Sequence, residues 1–155
     1  MKIKRLPYTS SSSAITGYSE SVIAKKENSD CVVRAIASSS DMTYDKAHKW
    51  VSDKFNRKPK KGTFGFAPGM NGMCNDNTKL NRKTVTTIPS SNLTTNNGKS
   101  KMTVGTFIRE YNKGTYILRV TGHAFTIKDG VVIGNWEDST KIRRVVKNAW
   151  RIGKS

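Results

Sequence analysis

Asp30-Cys31-Val32-Val33-Arg34 puts a thiol at the head of a segment with helical spacing. Gly122-His123-Ala124 puts an imidazole at the head of a segment with strand character. A thiol at a helix N-terminus has its thiolate stabilised by the backbone amides and dipole there. An imidazole facing it can hold that thiolate as an ion pair and later protonate a leaving group. The imidazole in turn needs an acceptor that fixes its tautomer. Asn135 and Asp138 stand 12 and 15 residues beyond His123, and either can reach back across a strand pair.

The elements that must position these groups are legible in part. Asn28-Ser29-Asp30 is a helix-start signal, and Asp30 is expected to cap the helix. Val32, Val33, Ala35, Ile36 and Ala37 then follow at spacings that fit a buried helix, with Arg34 one turn on to offset the Asp30 charge. A second helix is predicted from Thr43 to Asn56, carrying Tyr44, Ala47, His48, Val51 and Phe55 at three- and four-residue steps. A third, short helix is predicted over Thr103–Tyr111 and stopped by Asn112-Lys113-Gly114. Three strands are predicted at Thr115–Val120, His123–Lys128 and Val131–Trp136, the last two joined by the two-residue turn Asp129-Gly130.

Between these blocks the pattern dissolves. Residues 57–101 hold glycines, prolines and basic side chains, and read as one long irregular stretch with a short strand near Val85–Ile88. Residues 1–20 are rich in Ser and Thr and read as an extended arm, ordered only where it docks. The tail from Lys141 has apolar residues interleaved with basic ones and fits either a closing strand or a short amphipathic helix.

The composition bears on partners. A formal net charge of +17 on 155 residues attracts polyanions and gives salt-sensitive affinity for phosphate backbones. The residues expected to carry nucleic-acid contacts are Arg57, Lys58, Lys60, Lys61, Arg143, Arg144 and Lys147. Gly62-Thr63-Phe64-Gly65-Phe66 beside the first cluster would suit stacking on unpaired bases or anchoring of its own loop. A hydrophobic fraction of 35% implies a core confined to part of a single domain. No apolar run is long enough to span a bilayer, and the basic start lacks the apolar stretch of a signal peptide, so neither membrane nor secretion is expected. Cys31 and Cys74 are expected to be thiols. Cys74 has no histidine beside it and His48 sits in a helix pattern, so both read as structural. No metal-ligand spacing is present and no cofactor is expected. Trp136 and Trp150 read as core or cleft-lining residues.

Asp30-Cys31-Val32-Val33-Arg34-Ala35, with Gly114-Thr115-Tyr116 and Gly122-His123-Ala124, resembles the papain-like cysteine peptidase superfamily, and within it the small papain-like proteins encoded by bacteriophages. The resemblance covers residues 28–40 and about 102–138. It implies an α+β fold in which an N-terminal helix carrying Cys31 packs on a small antiparallel sheet carrying His123. The domain would run over residues 21–155, behind an arm at 1–20 and with a long basic insertion at about 57–101. The implied roles are Cys31 as nucleophile, His123 as general base and Asn135 as orienting residue, with Asp138 as the other candidate. Papain-like enzymes place a Gln six residues before the cysteine; here that residue is Lys25. Asn28, the nearest amide side chain, is the expected oxyanion donor beside the Cys31 backbone amide. The implied activity is hydrolysis of peptide or isopeptide bonds, with acyl transfer to an amine open to the same residues. The rival expectation is a non-catalytic virion or nucleic-acid-binding protein on a degenerate papain-like fold. The expected partners are a protein or peptide substrate, nucleic acid and other virion proteins, in the host cytoplasm or the virion interior.

Overall fold

A computed structural model describes residues 5–153 of the chain. The first elements are β1 (Tyr8–Ser10), α1 (Ser11–Ala14), α2 (Val22–Lys25), α3 (Cys31–Ser40) and α4 (Tyr44–Phe55). Next come α5 (Phe66–Asn75), β2 (Thr84–Thr87), and a small hairpin of β3 (Thr94–Thr95) and β4 (Ser100–Lys101). The C-terminal part holds α6 (Val104–Glu110), β5 (Thr115–Val120), β6 (His123–Lys128), β7 (Val131–Gly134), α7 (Trp136–Thr140) and β8 (Asn148–Gly153).

Six strands form one sheet in the order β1-β7-β6-β5-β8-β2. Every pairing is antiparallel except β1 with β7. The alternation of side chains along a strand then sorts the core onto two faces. Ile117, Ala124 and Trp150 point to one face, under Val33 and Ile36 of α3, Tyr44, Ala47 and Val51 of α4, and Phe66 and Met70 of α5. Leu118, Phe125, Ile127 and Ala149 point to the other, against Val104, Phe107 and Ile108 of α6. This is an α+β molecule with a mostly antiparallel sheet.

The helix that begins at Cys31 is held on the sheet by polar as well as apolar contacts. Thr126 on β6 is fully buried, donates to the Ala35 carbonyl (3.0 Å) and accepts from Ser38 Oγ (2.8 Å). These bonds fix where α3 sits along β6, and so where residue 31 meets residue 123. The β6–β7 turn has Asp129 and Gly130 at φ 48° and 79°, the doubly left-handed form a two-residue hairpin requires.

Several expectations are corrected. The N-terminal arm is docked rather than free over its described part: β1 pairs with β7, Leu6 N–H donates to Ser139 O (2.9 Å), and Tyr8 packs edge-on against Trp136. Its residues 1–4, and Lys154 of the basic tail, lie outside the described residues. Residues 57–101 are not an insertion beside the domain, because α5 packs into the core and β2 is a strand of the main sheet. Pro68 is the third residue of α5, where its missing N–H costs nothing. Gly69 is where the Phe55 ring lies across the helix, and a Cβ there would collide with it. The third predicted strand stops at Gly134, and Trp136 opens α7 instead, half exposed beneath the Arg5 guanidinium. Trp150 is in the core, and the basic tail enters the sheet as β8, between β5 and the edge strand β2.

Candidate active site

Cys31 is the first residue of α3 and His123 the first of β6, and the two line one cleft together with Ala124. His123 Nε2 lies 2.9 Å from Asp138 Oδ1 and 3.0 Å from Oδ2. With Nε2 committed to Asp138, Nδ1 is the nitrogen left for the thiol. The three groups stand in the order thiol, imidazole and buried carboxylate.

Asp138, not Asn135, orients the histidine. It reaches His123 because β7 ends in a tight turn into α7, which brings the third residue of that helix back over the strand end. Asn135 serves the carboxylate through its backbone, donating N–H to Asp138 Oδ2 at 2.8 Å. Gly134 makes the approach possible: a Cβ there would collide with Asp138 Oδ2 and stand 3.0 Å from Phe125 Cβ. Arg144 completes the shell, donating from Nη2 to Asp138 Oδ1 (2.8 Å) while its guanidinium lies over the Phe125 ring. The Phe125 ring also stacks on the His123 ring, at 5.8 Å between centroids.

The electrostatics follow from this shell. Burial raises the Cys31 pKa, but the hydrogen bond from His123, its charge and the Ala124 amide outweigh burial and leave it below the ordinary thiol value. Asp30 opposes the shift as a neighbouring negative charge. Burial lowers the His123 pKa, but hydrogen bonds to Asp138 and Cys31 raise it to about 9. Asp138 is held below its ordinary value in spite of burial, by its bonds to His123 and Arg144. Near neutrality the histidine is therefore held as imidazolium and Asp138 as carboxylate, and the Cys31 thiol is shifted toward its thiolate.

Asp30 does not cap α3. Its carboxylate turns inward to Arg34 Nε (3.2 Å to each oxygen) and the Tyr44 hydroxyl (2.7 Å). Arg34 spends its remaining nitrogens on Ser11 Oγ and Tyr18 OH. No side chain caps the helix, so its first-turn amides have no side-chain partner, and Cys31 and Val32 of that turn line the cleft, where such amides can receive a developing oxyanion. Asn28 does not fill the expected oxyanion role: its side chain is exposed and off the cleft wall, while its carbonyl accepts from Arg57 Nη2 (3.1 Å). The cleft, about 500 Å³, is lined around Cys31 and His123 by Ser29, Thr63, Phe66, Arg119 and Asn135 among others.

The expected nucleic-acid residues divide. Arg57 is buried and clamps Glu27 through Nη1 (2.9 Å) and Nη2 (3.1 Å), and Arg144 is engaged with Asp138, so both are internal. Lys58, Lys60, Lys61, Arg143 and Lys147 are exposed. Burial raises and the Arg57 and His48 bonds lower the Glu27 pKa, which settles at about 2. Cys74 lies in α5, where it accepts from Thr87 Oγ1 at 3.0 Å, away from both histidines. Among the described residues no group of three His, Cys, Asp or Glu side chains is placed to hold a metal ion, and no helix is long and apolar enough to cross a membrane.

Gly134, the Ala124 amide, Arg119 and the Arg144–Asp138 pairing belong to the site without having been expected from the sequence. Only the Gly134-Asn135 step carried a signal, a turn composition after a strand. Comparison with protein-family models, with curated proteins and with solved structures gave no match to this chain.

Proposed function

We propose that this protein is a papain-like thiol enzyme that cleaves peptide or isopeptide bonds, with Cys31 as nucleophile, His123 as acid–base and Asp138 as the orienting carboxylate. The observation that carries the reading is the meeting of the helix-terminal Cys31 and His123 in one cleft, with His123 bonded to the buried Asp138. The Cys31 thiolate attacks the acyl carbonyl carbon, and the oxyanion that forms is met by the first-turn amides of α3. Collapse of the tetrahedral species breaks the C–N bond, and the His123 imidazolium gives its proton to the departing amine. Water, deprotonated by the now neutral His123, then releases the acid and restores the thiol; an amine in place of water gives acyl transfer.

The resemblance to papain-like proteins of bacteriophages supports the same reading and suggests a virion or host-cytoplasm setting with virion proteins as partners. A second reading, binding of nucleic acid by a non-catalytic form of this fold, draws support from the exposed Lys58, Lys60, Lys61, Arg143 and Lys147 on a chain of net charge +17. The deciding experiment is modification by E-64 or iodoacetamide at about pH 6, followed by mass spectrometry, in wild type, Cys31→Ala and His123→Ala. Rapid labelling of Cys31 that is lost in His123→Ala supports the enzyme. Labelling of Cys31 no faster than Cys74 overturns it and leaves the binding reading.

A further inference from the structure

We infer that the cleft takes acyl substrates carrying negative charge beside the reacting carbonyl, an acidic peptide segment in particular. This rests on the thiol-enzyme reading and adds the substrate's chemistry to it. The chain has eleven acidic residues; of these Asp30 lines the cleft, Asp138 holds His123, and Glu27 anchors the loop that carries Lys60. Each is turned inward onto an arginine: Glu27 on Arg57, Asp30 on Arg34, Asp138 on Arg144. Their side chains are 3%, 8% and 2% exposed, so they present almost no negative surface to a substrate. The cations are not all spent in the same way. Arg119 lines the cleft and uses only Nε, on Asn148 Oδ1 (2.8 Å); its two terminal nitrogens have no acceptor among the described residues.

A second stretch of the cleft wall repeats the sign. Gly62 and Thr63 line the cleft, and Lys58, Lys60 and Lys61 stand exposed immediately before them. This stretch is fixed at its base, since the Lys60 backbone N–H donates to Glu27 Oε1 at 2.8 Å, the same carboxylate that Arg57 clamps. Phe64 projects from it with 83% of its surface exposed. A substrate entering the cleft meets positive charge from Arg119 and from this loop, and among the described residues no exposed carboxylate lines the cleft to cancel it. An acidic peptide matches the attacked bond type as well as the charge, whereas a polynucleotide offers no acyl carbonyl of that kind.

The test uses the whole protein and methanethiosulfonates bearing a neutral methyl, an anionic sulfonatoethyl or a cationic trimethylammonioethyl group. In each case the thiolate attacks the sulfenyl sulfur, a mixed disulfide forms and methanesulfinate leaves. Cys74 in the same molecule corrects for the overall charge. At low ionic strength the anionic-to-cationic rate ratio at Cys31 is expected to exceed that at Cys74 by about tenfold. It is expected to narrow by roughly threefold in Arg119→Gln and in the exposed pair Lys60→Gln/Lys61→Gln, so that one variant failing to fold leaves the other to decide. A glutamate-rich peptide is expected to slow neutral labelling of Cys31 more than a Ser/Gly peptide of equal length. Fast neutral labelling without charge preference overturns the substrate class alone. Neutral labelling of Cys31 no faster than Cys74 overturns it together with the enzyme reading. Protection by a short DNA duplex but not by the acidic peptide assigns the cleft to nucleic acid and also overturns it.

Discussion

At the scale of single residues, the state of Cys31 is set by His123, and the state of His123 by Asp138. The imidazolium persists up to about pH 9 and the thiolate forms below the ordinary thiol value, so each favours the other's charged form. Alkylation of Cys31 is expected to set in at lower pH than that of an ordinary thiol, and, on the proposed thiol-enzyme reading, turnover is expected to decline above about pH 9, where His123 loses its proton. His123→Ala should return the alkylation profile toward an ordinary thiol titration, measured by iodoacetamide rates against pH. The same shift bears on stability. A histidine whose pKa rises from 6.5 to about 9 on folding contributes stability that is fully present below 6.5 and is lost as pH rises through about 9. The difference in Tm between wild type and His123→Ala should therefore shrink across that window. Asp138→Asn keeps the shape but loses the charge that holds the imidazolium; a fall in kcat of about 10²- to 10⁴-fold is expected, read on whichever substrate the labelling experiments identify.

At the scale of elements, Gly134 and Thr126 are the positions where the backbone has to be where it is. Gly134→Ala is expected to displace the Asp138 carboxylate and reproduce much of the Asp138→Asn loss with the charge still present, a distinction that the pH profile of alkylation reads. Thr126→Val keeps the volume and removes the hydroxyl shared by Ala35 O and Ser38 Oγ. It should cost about 1–3 kcal/mol in urea unfolding, because buried polar groups are left unpaired. Much of this element layer was legible beforehand. α3, α4, α6, β5 and β6 follow local periodicity, and Asp129-Gly130 carries its turn type in its own chemistry. α5 escaped notice because Pro68, Gly69 and Gly72 lower its intrinsic helicity, and it is burial of Phe66, Met70 and Met73 that holds it. β1 is three residues long and exists through its pairing with β7, which no local window contains. The choice between Asn135 and Asp138 turned on the path of a five-residue helix rather than on side-chain type.

At the scale of the molecule, charge counted along the chain overstates the surface available to a polyanion. Arg57 and Lys58 are adjacent and equally basic, yet Glu27, 30 residues away from Arg57, takes Arg57 into the interior. DNA affinity in low salt should fall when Lys58, Lys60 and Lys61 are changed together to Gln, and its salt slope should become shallower by roughly the number of phosphate contacts removed. Arg57→Gln should instead lower Tm, because it strands the buried Glu27 carboxylate. A common loss of affinity in both variants, with folding intact, would refute this division of the basic residues.

The docked N-terminal segment has a practical consequence for anyone handling the protein. Leu6, Pro7 and Tyr8 hold the far side of the turn that carries Asp138, through Ser139, Val132 and the Gly134 carbonyl. A protease nick in the serine run at Ser10–Ser13, or a bulky tag fused close to Leu6, would slacken the carboxylate without touching the thiol. Preparations trimmed there would keep a labelled cysteine and an unchanged core while losing any turnover that depends on Asp138, so intact mass should be verified before an inactive sample is counted against the proposed activity.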